Sequence, residues 1–391
     1  MIHLSPDRRV FAGFALHAMA MGSLFPRLPE IRDAMGVGEG ALGLSLIGTP
    51  VGTLIALTFA TPLLERMGFR HALVAAIPLV ALIFAVAVHA TDPLVFFLCL
   101  IPAGLLIGSV EIILNVEADR VEAALGRRIM NRAHSFWSIG FFAAGLIGAA
   151  AAHLGVSPQW HLGLMVPLLG AGVWLFLRGY VPSPARVVEA AAPRFASPTW
   201  PIMVLVAVTF SALLMEGAGI DWSAIYMTDT FGSGPFVAGL AVALVAGAQA
   251  IGRFFSDGFV ERHGPALVAR VQLSIMALGL VLLMTPQAPA LSLLSFALVG
   301  FGTSVIFPLA VSAAAQRTDR PSAINVAAFA QIAFTGFLLG PPLLGLLAEG
   351  WGIQWVYGLG LPLVAVSFWA ADALGRAPGL HTGRQAEAPR A

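Results

Sequence analysis

Charged residues are scarce in this sequence, and lysine is absent. Charged residues make up 10% of the 391 residues, and all 21 basic residues are arginine. Without lysine the chain cannot form the Gly-x-x-x-x-Gly-Lys-Ser/Thr loop that holds ATP phosphates. The single cysteine, Cys99, excludes an internal disulfide and a cysteine-based metal centre. Since the net charge of +1 gives no electrostatic case for nucleic acid, we expect no nucleic acid partner, no metal and no cofactor.

Hydrophobic residues, by contrast, make up 58% of the chain, and the mean hydropathy is +0.88. A chain this apolar needs a partner that covers its surface, and a lipid bilayer is that partner. A helix needs roughly 20 apolar residues to cross about 30 Å of hydrocarbon, where unpaired backbone groups are costly. The sequence therefore predicts an all-α membrane protein with twelve spans, near 9–34, 40–64, 70–90, 94–118, 130–153, 159–178, 200–228, 235–260, 265–286, 290–316, 322–348 and 354–374.

The sequence carries its pattern twice. Glu-Arg-Met-Gly at 65–68 is matched 196 positions later by Glu-Arg-His-Gly at 261–264. Trp-x-x-Gly-x-x-x-Pro at 160–167 is matched 195 positions later, at 355–362. Repeats that stay in step at half the chain length predict two homologous six-helix halves.

One long polar segment lies between the two halves. Its prolines and small residues are typical of a linker. We therefore predict a six-helix bundle over 1–178, a cytoplasmic linker over 179–199, a second six-helix bundle over 200–375 and a cytoplasmic tail over 376–391.

Arginine is distributed unequally between the predicted loops. With the N-terminus in the cytoplasm, only Arg27 and Arg32 fall on the outer side. The positive-inside rule then places both termini in the cytoplasm. Because no small-residue cleavage site follows the first apolar stretch, we interpret it as a retained signal anchor. We expect a multi-pass protein of the inner (plasma) membrane that acts as a monomer.

Several motifs resemble those of a known family. The loop 61–70 is similar to the loop signature of the major facilitator superfamily (MFS), with glutamate for the usual aspartate and threonine for the leading glycine. The segments 111–115, 126–140 and 216–226 resemble its bacterial YbjJ-type branch, which more often has aspartate at the position of Glu111. The resemblance implies a secondary transporter of two six-helix bundles with a site between them near the midplane. It does not imply a particular substrate.

Among the ionisable side chains inside predicted spans, four stand out: His17, Glu111, Glu216 and Asp221. Each costs on the order of 2.5–3.5 kcal/mol to insert, so each indicates a function or a specific partner. At about 1.5 Å per residue, His17 and Glu111 lie at similar heights on the first and fourth helices. We expect Glu111, Glu216 and His17 to serve proton coupling. The alternative for Glu111 is a permanent bond to a neighbouring donor that only fixes helix packing.

Polar and aromatic side chains in the spans are candidates for substrate contact. For Gln249, Asn325 and Gln331, packing between helices is the competing interpretation. Because no paired arginine is evident deep in the spans, a sugar, polyol, amine or zwitterion is favoured over a highly anionic solute. The candidates are His17, Glu111, Asn115, His134, Trp137, Glu216, Gln249, Asn325 and Gln331.

Two gates are predicted at the ends of the spans. Arg27 and Asp221 lie at nearly symmetric heights on the first and seventh helices, so we expect them to pair as an outer gate. In the alternative, Arg27 bonds Glu30 one turn further on. On the inner side, two loop clusters predict an inner gate. The alternative is a solvated charge cluster without a gating role. Arg253 and Asp257 are four residues apart, so they are spaced to pair on one helix face. The inner cluster contains Glu65, Arg66, Arg253, Asp257, Glu261 and Arg262.

The sequence thus predicts alternating-access secondary transport of a small organic solute, coupled to protons. Proton-antiport efflux of drugs or metabolites is one alternative, although the fifth helix lacks the Gly-Pro motif that drug antiporters usually carry. A membrane-embedded enzyme that uses His17, Glu111 and His134 is another, but none of these has a second ligand at helical spacing. We expect no enzymatic activity, and we expect a small-molecule solute, protons and lipid as partners.

Overall fold

The computed structural model describes residues 4–127, 129–183 and 196–375, apart from a few side chains within the helices. Within these ranges the chain forms nineteen α-helices and no β-strand. The short 3-10 turns Phe25–Arg27 and Ala371–Leu374 supplement them. The helices are α1 Pro6–Gly22, α2 Leu28–Met35, α3 Glu39–Leu46, α4 Gly48–Phe59, α5 Thr61–Met67, α6 Phe69–Ala87, α7 Pro93–Leu125, α8 Met130–His153, α9 Pro158–Leu177, α10 Trp200–Asp221, α11 Ser223–Phe231, α12 Pro235–His263, α13 Pro265–Met284, α14 Pro289–Thr303, α15 Ile306–Ala315, α16 Ser322–Leu338, α17 Gly340–Trp351, α18 Gln354–Gly358 and α19 Gly360–Ala370.

Ten helical stretches in the described part of the chain are long and apolar enough to cross a membrane. The first and the eleventh predicted spans are not among them. The first is broken by the turn Phe25–Arg27 between α1 and α2, and the eleventh is broken at Leu339 between α16 and α17. Proline lies at both breaks, as Pro26 and as Pro341, and it removes a helical N–H donor. The predicted fold class, an all-α protein of twelve spans in two six-helix bundles, is confirmed.

The repeated loop motif has the same backbone in both copies. Gly68, between α5 and α6, has a φ angle of +79°, and Gly264, between α12 and α13, has a φ angle of +80°. Residues with a side chain are strained in this region, whereas glycine is not. Each copy of the motif therefore ends on a glycine that reverses the chain.

The repeat extends to the packing of helices. Gly104 in α7 lies against the carbonyl group of Thr49 in α4, and Gly300 in α14 lies against that of Val245 in α12. Both members of the second pair follow those of the first by 196 positions. At each glycine an added Cβ would collide with the facing backbone oxygen, so the two halves use the same close helix contact.

The fourth span continues well past its predicted end at 118. Helix α7 extends to Leu125, because its last turns are charged and leave the apolar region without losing helical hydrogen bonds. In this extension Glu122 accepts hydrogen bonds from the backbone N–H groups of Ile129 and Met130, at 2.8 and 3.1 Å. The bonds satisfy N–H groups that the start of α8 would otherwise leave without a partner.

Both flanks of the predicted linker are attached to helices. Glu117 in α7 accepts bonds from the backbone N–H and the hydroxyl of Ser183, each at 2.8 Å. The backbone N–H of Ala196 donates to Oε1 of Gln331 in α16, at 3.2 Å. The linker residues 184–195 and the predicted tail 376–391 lie outside the described residues.

The two halves of the chain contact each other closely at one end of the molecule. Gly43 in α3 lies so near α17 that an added Cβ would come within 2.5 Å of the Pro341 carbonyl oxygen and 3.1 Å of the Gly345 Cα. We call this end the closed face. The other end, where Gly68 and Gly264 reverse the chain, is called the opposite face.

Candidate functional site

The predicted partners His17 and Glu111 lie side by side between α1 and α7. His17 Nε2 is 3.5 Å from Glu111 Oε2, which is ion-pair distance and too long for a strong hydrogen bond. His17 is buried, whereas a third of the Glu111 side chain, 33%, is exposed. The Asn115 amide donates to Glu111 Oε1 at 3.0 Å from one turn along α7. The carboxylate is thus held from one side and open on the other.

His134 in α8 continues the same group of polar side chains. Its Nε2 lies 3.2 Å from Oδ1 of Asn115, and its ring packs at 5.0 Å against that of Phe14. One turn further along α8, the hydroxyl of Ser138 lies 3.4 Å from the His134 carbonyl oxygen. The fourth, first and fifth spans therefore meet at one polar site, as the heights of these residues predict.

Arg253 in α12 joins this site from the other half of the chain. Its Nη1 donates to the hydroxyl of Ser138 at 2.9 Å, and its Nη2 donates to Oε1 of Glu216 in α10 at 3.3 Å. Its Nε donates to the carbonyl oxygen of Ser304 at 3.1 Å. The side chains of Arg253 and Glu216 are each only 16% exposed. A paired arginine therefore lies deep in the spans.

This geometry corrects one expectation. Arg253, which was assigned with Asp257 to the inner loop cluster, bonds Glu216 on another helix. Its pairing with Asp257 stays a prediction, because the Asp257 side chain lies outside the described part of the structure. The expectation that the spans hold no deep paired arginine is wrong. Spacing along one helix shows only partners three or four residues away, whereas this pair joins residues 37 positions apart.

The contacts form one continuous polar chain through the middle of the molecule. It starts at a carboxylate of the first half and ends at a carboxylate of the second half. A backbone carbonyl, that of His134, provides one of its links. We call it the polar chain, and its members are His17, Glu111, Asn115, His134, Ser138, Arg253 and Glu216.

The remaining substrate candidates lie apart from these contacts. Gln249 is buried and donates to the Thr303 hydroxyl at 3.1 Å, within the second half. Asn325 donates to Asp319 at 3.0 Å near the start of α16, and Gln331 accepts the bond from the linker flank. Trp137, one residue before Ser138, stacks on Phe141 at 5.3 Å. Among the contacts given above for Gln249, Asn325 and Gln331, none is to a member of the polar chain.

The predicted outer pair of Arg27 and Asp221 is not formed. The Arg27 Nε lies 2.6 Å from Glu30 Oε2, which is the alternative pairing that the sequence offered. Its Nη2 donates to the Val156 carbonyl oxygen at 2.8 Å. Asp221 instead lines a small void of about 10 Å³ beside Pro341. Symmetric heights fix the level of two side chains but not the directions in which they point, and Arg27 points into its own bundle.

Arg32 makes the ion pair that joins the halves at the closed face. Its Nη1 and Nη2 donate to the two carboxylate oxygens of Asp229 in α11, at 2.6 and 2.8 Å. Beside it, the backbone N–H of Gly40 donates to Glu349 in α17 at 3.1 Å. Sequence reasoning missed these residues. The signal was available, because Arg32 and Asp229 lie 197 positions apart, almost the repeat distance.

The two inner loop motifs lie at the opposite face. Glu65 and Arg66 at the end of α5, and Glu261 and Arg262 at the end of α12, are all exposed. Among the described contacts, none of these four side chains forms an ion pair, so the opposite face does not show the cross-links of the closed face. Their predicted gating role stays a prediction.

Comparison with known proteins gives both sequence and structural relatives. A sequence model described as Major Facilitator Superfamily matches residues 204–390. The chain is 30% identical over 371 residues to a protein of Sinorhizobium fredii named "Uncharacterized transporter y4wD", covering 93% of this chain and 97% of that protein. It is 28% identical over 344 residues to an MFS-type transporter of Yersinia pestis, covering 86% of this chain and 87% of that protein. The crystal structure of the nucleoside transporter NupG superposes with a TM-score of 0.69 at 15% identity, covering 95% of this chain and all of that chain.

Proposed function

We propose that this chain, which belongs to the major facilitator superfamily of membrane transporters, moves a small organic solute by alternating access and couples that movement to protons. The family makes it a multi-pass membrane transporter and not an enzyme. Family membership does not establish the class of solute, the coupling to protons or the alternating-access cycle. The proposal for these three points is argued from the site described above.

The polar chain is the observation that carries the proposal. Burying one ionisable group in a span costs on the order of 2.5–3.5 kcal/mol. The polar chain holds several ionisable groups in contact with one another. Glu111 and Glu216 stand at its two ends, one in each half of the molecule. A proton that binds either carboxylate changes the charge of a network shared by both halves. This connection is what coupling between protonation and bundle movement requires.

The contacts of the two faces support alternating access. At the closed face, α3 packs on α17 and Arg32 bonds Asp229, so the two halves are joined there. The opposite face lacks such cross-links among the described residues. We propose that this arrangement is the inward-open state of a cycle, and that the exposed loop motifs close the opposite face in the other state. One structural neighbour, a bacterial homologue of the lysosomal transporter Spinster, is described as inward-facing and occupied.

The orientation follows from the arginine distribution. Both termini and the opposite face lie in the cytoplasm in this proposal, because the positive-inside rule places arginine-rich loops there. The protein is then a monomer of the inner membrane whose bundles, 1–178 and 200–375, rock about the polar chain, with 179–199 as the linker and 376–391 as the tail.

Proteoliposomes loaded with a pH-sensitive dye test the proposal. Amino acids, amines, sugars and polyols are added one at a time, and a transported solute is expected to move protons with it. Glu111→Gln should abolish proton movement and leave solute exchange measurable, because the amide keeps the shape but cannot release a proton. Asp92→Asn is the matched control, since Asp92 only caps α7 and asparagine caps a helix equally well. Proton movement in Glu111→Gln that equals that of Asp92→Asn would refute the coupling role.

A further inference from the structure

We infer that the transported solute is a zwitterion whose carboxylate binds Arg253 and whose amine binds Glu111. The inference rests on the proposed transport function and deepens it by naming the substrate class. It replaces the wider set of sugar, polyol, amine or zwitterion, because that set assumed that no paired arginine lies deep in the spans.

Arg253 is not saturated by the partners that the described residues provide. The guanidinium has five N–H groups, and three of them donate to Ser138, Glu216 and Ser304. Its contact with Glu216 uses one nitrogen at 3.3 Å, whereas a strong charge-assisted contact is about 2.7–2.9 Å and often bidentate. An incoming carboxylate can therefore make a better contact than Glu216 does.

Arg27 differs from Arg253 in its exposure and in the length of its carboxylate contact. The Arg27 side chain is fully buried, with an exposure of 0%, and its Nε lies 2.6 Å from the Glu30 carboxylate. Arg27 thus has the short, closed contact of a packing residue. Arg253 is 16% exposed and bonds a hydroxyl from the other half of the chain, which is an exchangeable partner.

The opposite charge lies at the same depth in the other bundle. Helices α7 and α8 run antiparallel, and Asn115 of α7 meets His134 of α8 at 3.2 Å. Glu111 and Ser138 each lie four residues, or one turn, nearer the closed face than this pair. The Glu111 carboxylate and the Arg253 guanidinium bonded to Ser138 therefore lie at one level of the site, one in each half of the molecule.

A solute that bridges these two groups needs both charges. A neutral sugar would leave both charges without a counter-charge from the solute, and a second carboxylate would face Glu111 and be repelled. An amine at Glu111 and a carboxylate at Arg253 satisfy both, with Asn115 and His134 available to polar groups between them. The solute carboxylate competes with Glu216 for Arg253, so loss of the Glu216 charge favours binding.

Binding to the purified full-length protein in nanodiscs tests the inference, by thermal shift and then calorimetry. The probes are alanine, 4-aminobutyrate and 5-aminovalerate, each with its methyl ester and with its acid lacking the amine. Glucose and glycerol serve as neutral probes. We expect at least one amino acid to bind, and its ester and its desamino acid to bind about tenfold to a hundredfold more weakly, since each loses one charge-assisted contact.

Three variants separate recognition from packing. Arg253→Gln should weaken the zwitterion about tenfold or more, and Glu216→Gln should strengthen it, because the competing carboxylate is gone. If Arg253 and Glu216 serve only to fix helix packing, both variants should bind the zwitterion more weakly. Arg270→Gln is the matched control, since Arg270 in α13 pairs with Asp372 in the 3-10 turn Ala371–Leu374 at 2.9 Å, and this variant should leave binding unchanged.

The inference falls if no amino acid probe binds, if an ester binds as tightly as its amino acid, or if Arg253→Gln behaves like Arg270→Gln. Its failure is distinct from failure of the proposed function. Proton movement driven by glucose would support proton-coupled transport and contradict a zwitterionic solute. Binding of an amino acid that moves no protons would support the substrate class and contradict the coupling to protons.

Discussion

The guanidinium of Arg32 and the carboxylate of Asp229 form a two-nitrogen ion pair that joins the halves of the molecule, with N–O distances of 2.6 and 2.8 Å. The same Nη1 also donates to Glu39 at 2.9 Å. The Arg32 side chain is only 11% exposed, so the pair is less screened than one on the open surface. Separation of the bundles at the closed face has to break it.

We predict that Arg32 and Asp229 are coupled in holding this face closed. Arg32→Gln and Asp229→Asn should each raise the population in which the face is open, and the double variant should do so by less than the sum. The interaction energy should be on the order of 1 kcal/mol, because two parallel charge-assisted bonds exceed the usual surface pair. Spin labels at Ala34 and Phe236, in a background with Cys99 replaced by serine, report the distance between the bundles.

The control pair is Arg27 and Asp221, which do not touch in this structure. Arg27→Gln and Asp221→Asn should combine additively in the same distance measurement, as expected for sites that share no contact. Additive effects for Arg32 and Asp229 would contradict their role. Non-additive effects for Arg27 and Asp221 would restore the gate that the sequence alone predicts.

The close approach of α3 to α17 makes a second prediction. Gly43→Val should open the closed face, because its Cβ would lie 2.5 Å from the Pro341 carbonyl oxygen, which is backbone and cannot turn aside. Overpacking of this kind costs about 1–3 kcal/mol, which is a factor of roughly 5 to 150 in population. The distance between labels at Ala34 and Phe236 should increase.

Gly350→Val is the matched control on the same helix as Gly345. A Cβ at Gly350 meets nothing within 4 Å, so the label distance should stay as in the parent protein. If Gly43→Val leaves the distance as Gly350→Val does, the closed face does not depend on this contact.

Asp319, in the loop before α16, should contribute stability that depends on pH. Arg317 donates to it at 3.1 and 3.2 Å and holds the pKa of the Asp319 carboxyl below its usual value, and Asn325 donates at 3.0 Å. A lowered folded-state pKa means that the stabilisation is present above the unfolded pKa of about 3.9 and is lost as pH falls through the lower folded value.

Asp319→Asn should therefore unfold more easily than the parent at pH 7, and the difference should shrink below about pH 4. The decrease should stay below about 1 kcal/mol, because exposed ion pairs contribute little. Thermal unfolding of both proteins across this range measures it. A difference that grows on acidification would have the wrong sign for a lowered pKa.

Hydropathy and the repeat predict the fold well, because both depend on properties that a linear sequence carries. Ten of the twelve predicted spans coincide with long apolar helical stretches, and the first and the eleventh break beside proline. Height along a helix also follows from counting residues, which is why His17 and Glu111 were expected together. The 196-residue offset further relates the contact of Gly104 to that of Gly300.

Contacts between different helices were not predictable in the same way. The pairing of Arg253 with Glu216 depends on which faces of α12 and α10 meet, and residue spacing along one helix does not contain that information. Arg27 was expected to cross to Asp221 from its height alone, yet it points to Glu30. Rotation about the helix axis is set by packing, so it becomes known only with the structure.

Asn115 provides the last prediction, because it links Glu111 to His134. Its amide donates to Glu111 at 3.0 Å, and its carbonyl oxygen lies 3.2 Å from His134 Nε2. Asn115→Leu keeps the volume but removes both contacts, and a buried polar group left without its partner costs about 1–3 kcal/mol. We expect proton movement in dye-loaded proteoliposomes to slow by about tenfold or more, while solute exchange without a proton gradient changes less. Gln316→Leu is the control, since Gln316 bonds the Ser312 hydroxyl at 3.0 Å near the exposed end of α15 and its loss should not change the ratio of proton movement to exchange. Equal ratios in the two variants would mean that the link through Asn115 carries no part of the coupling.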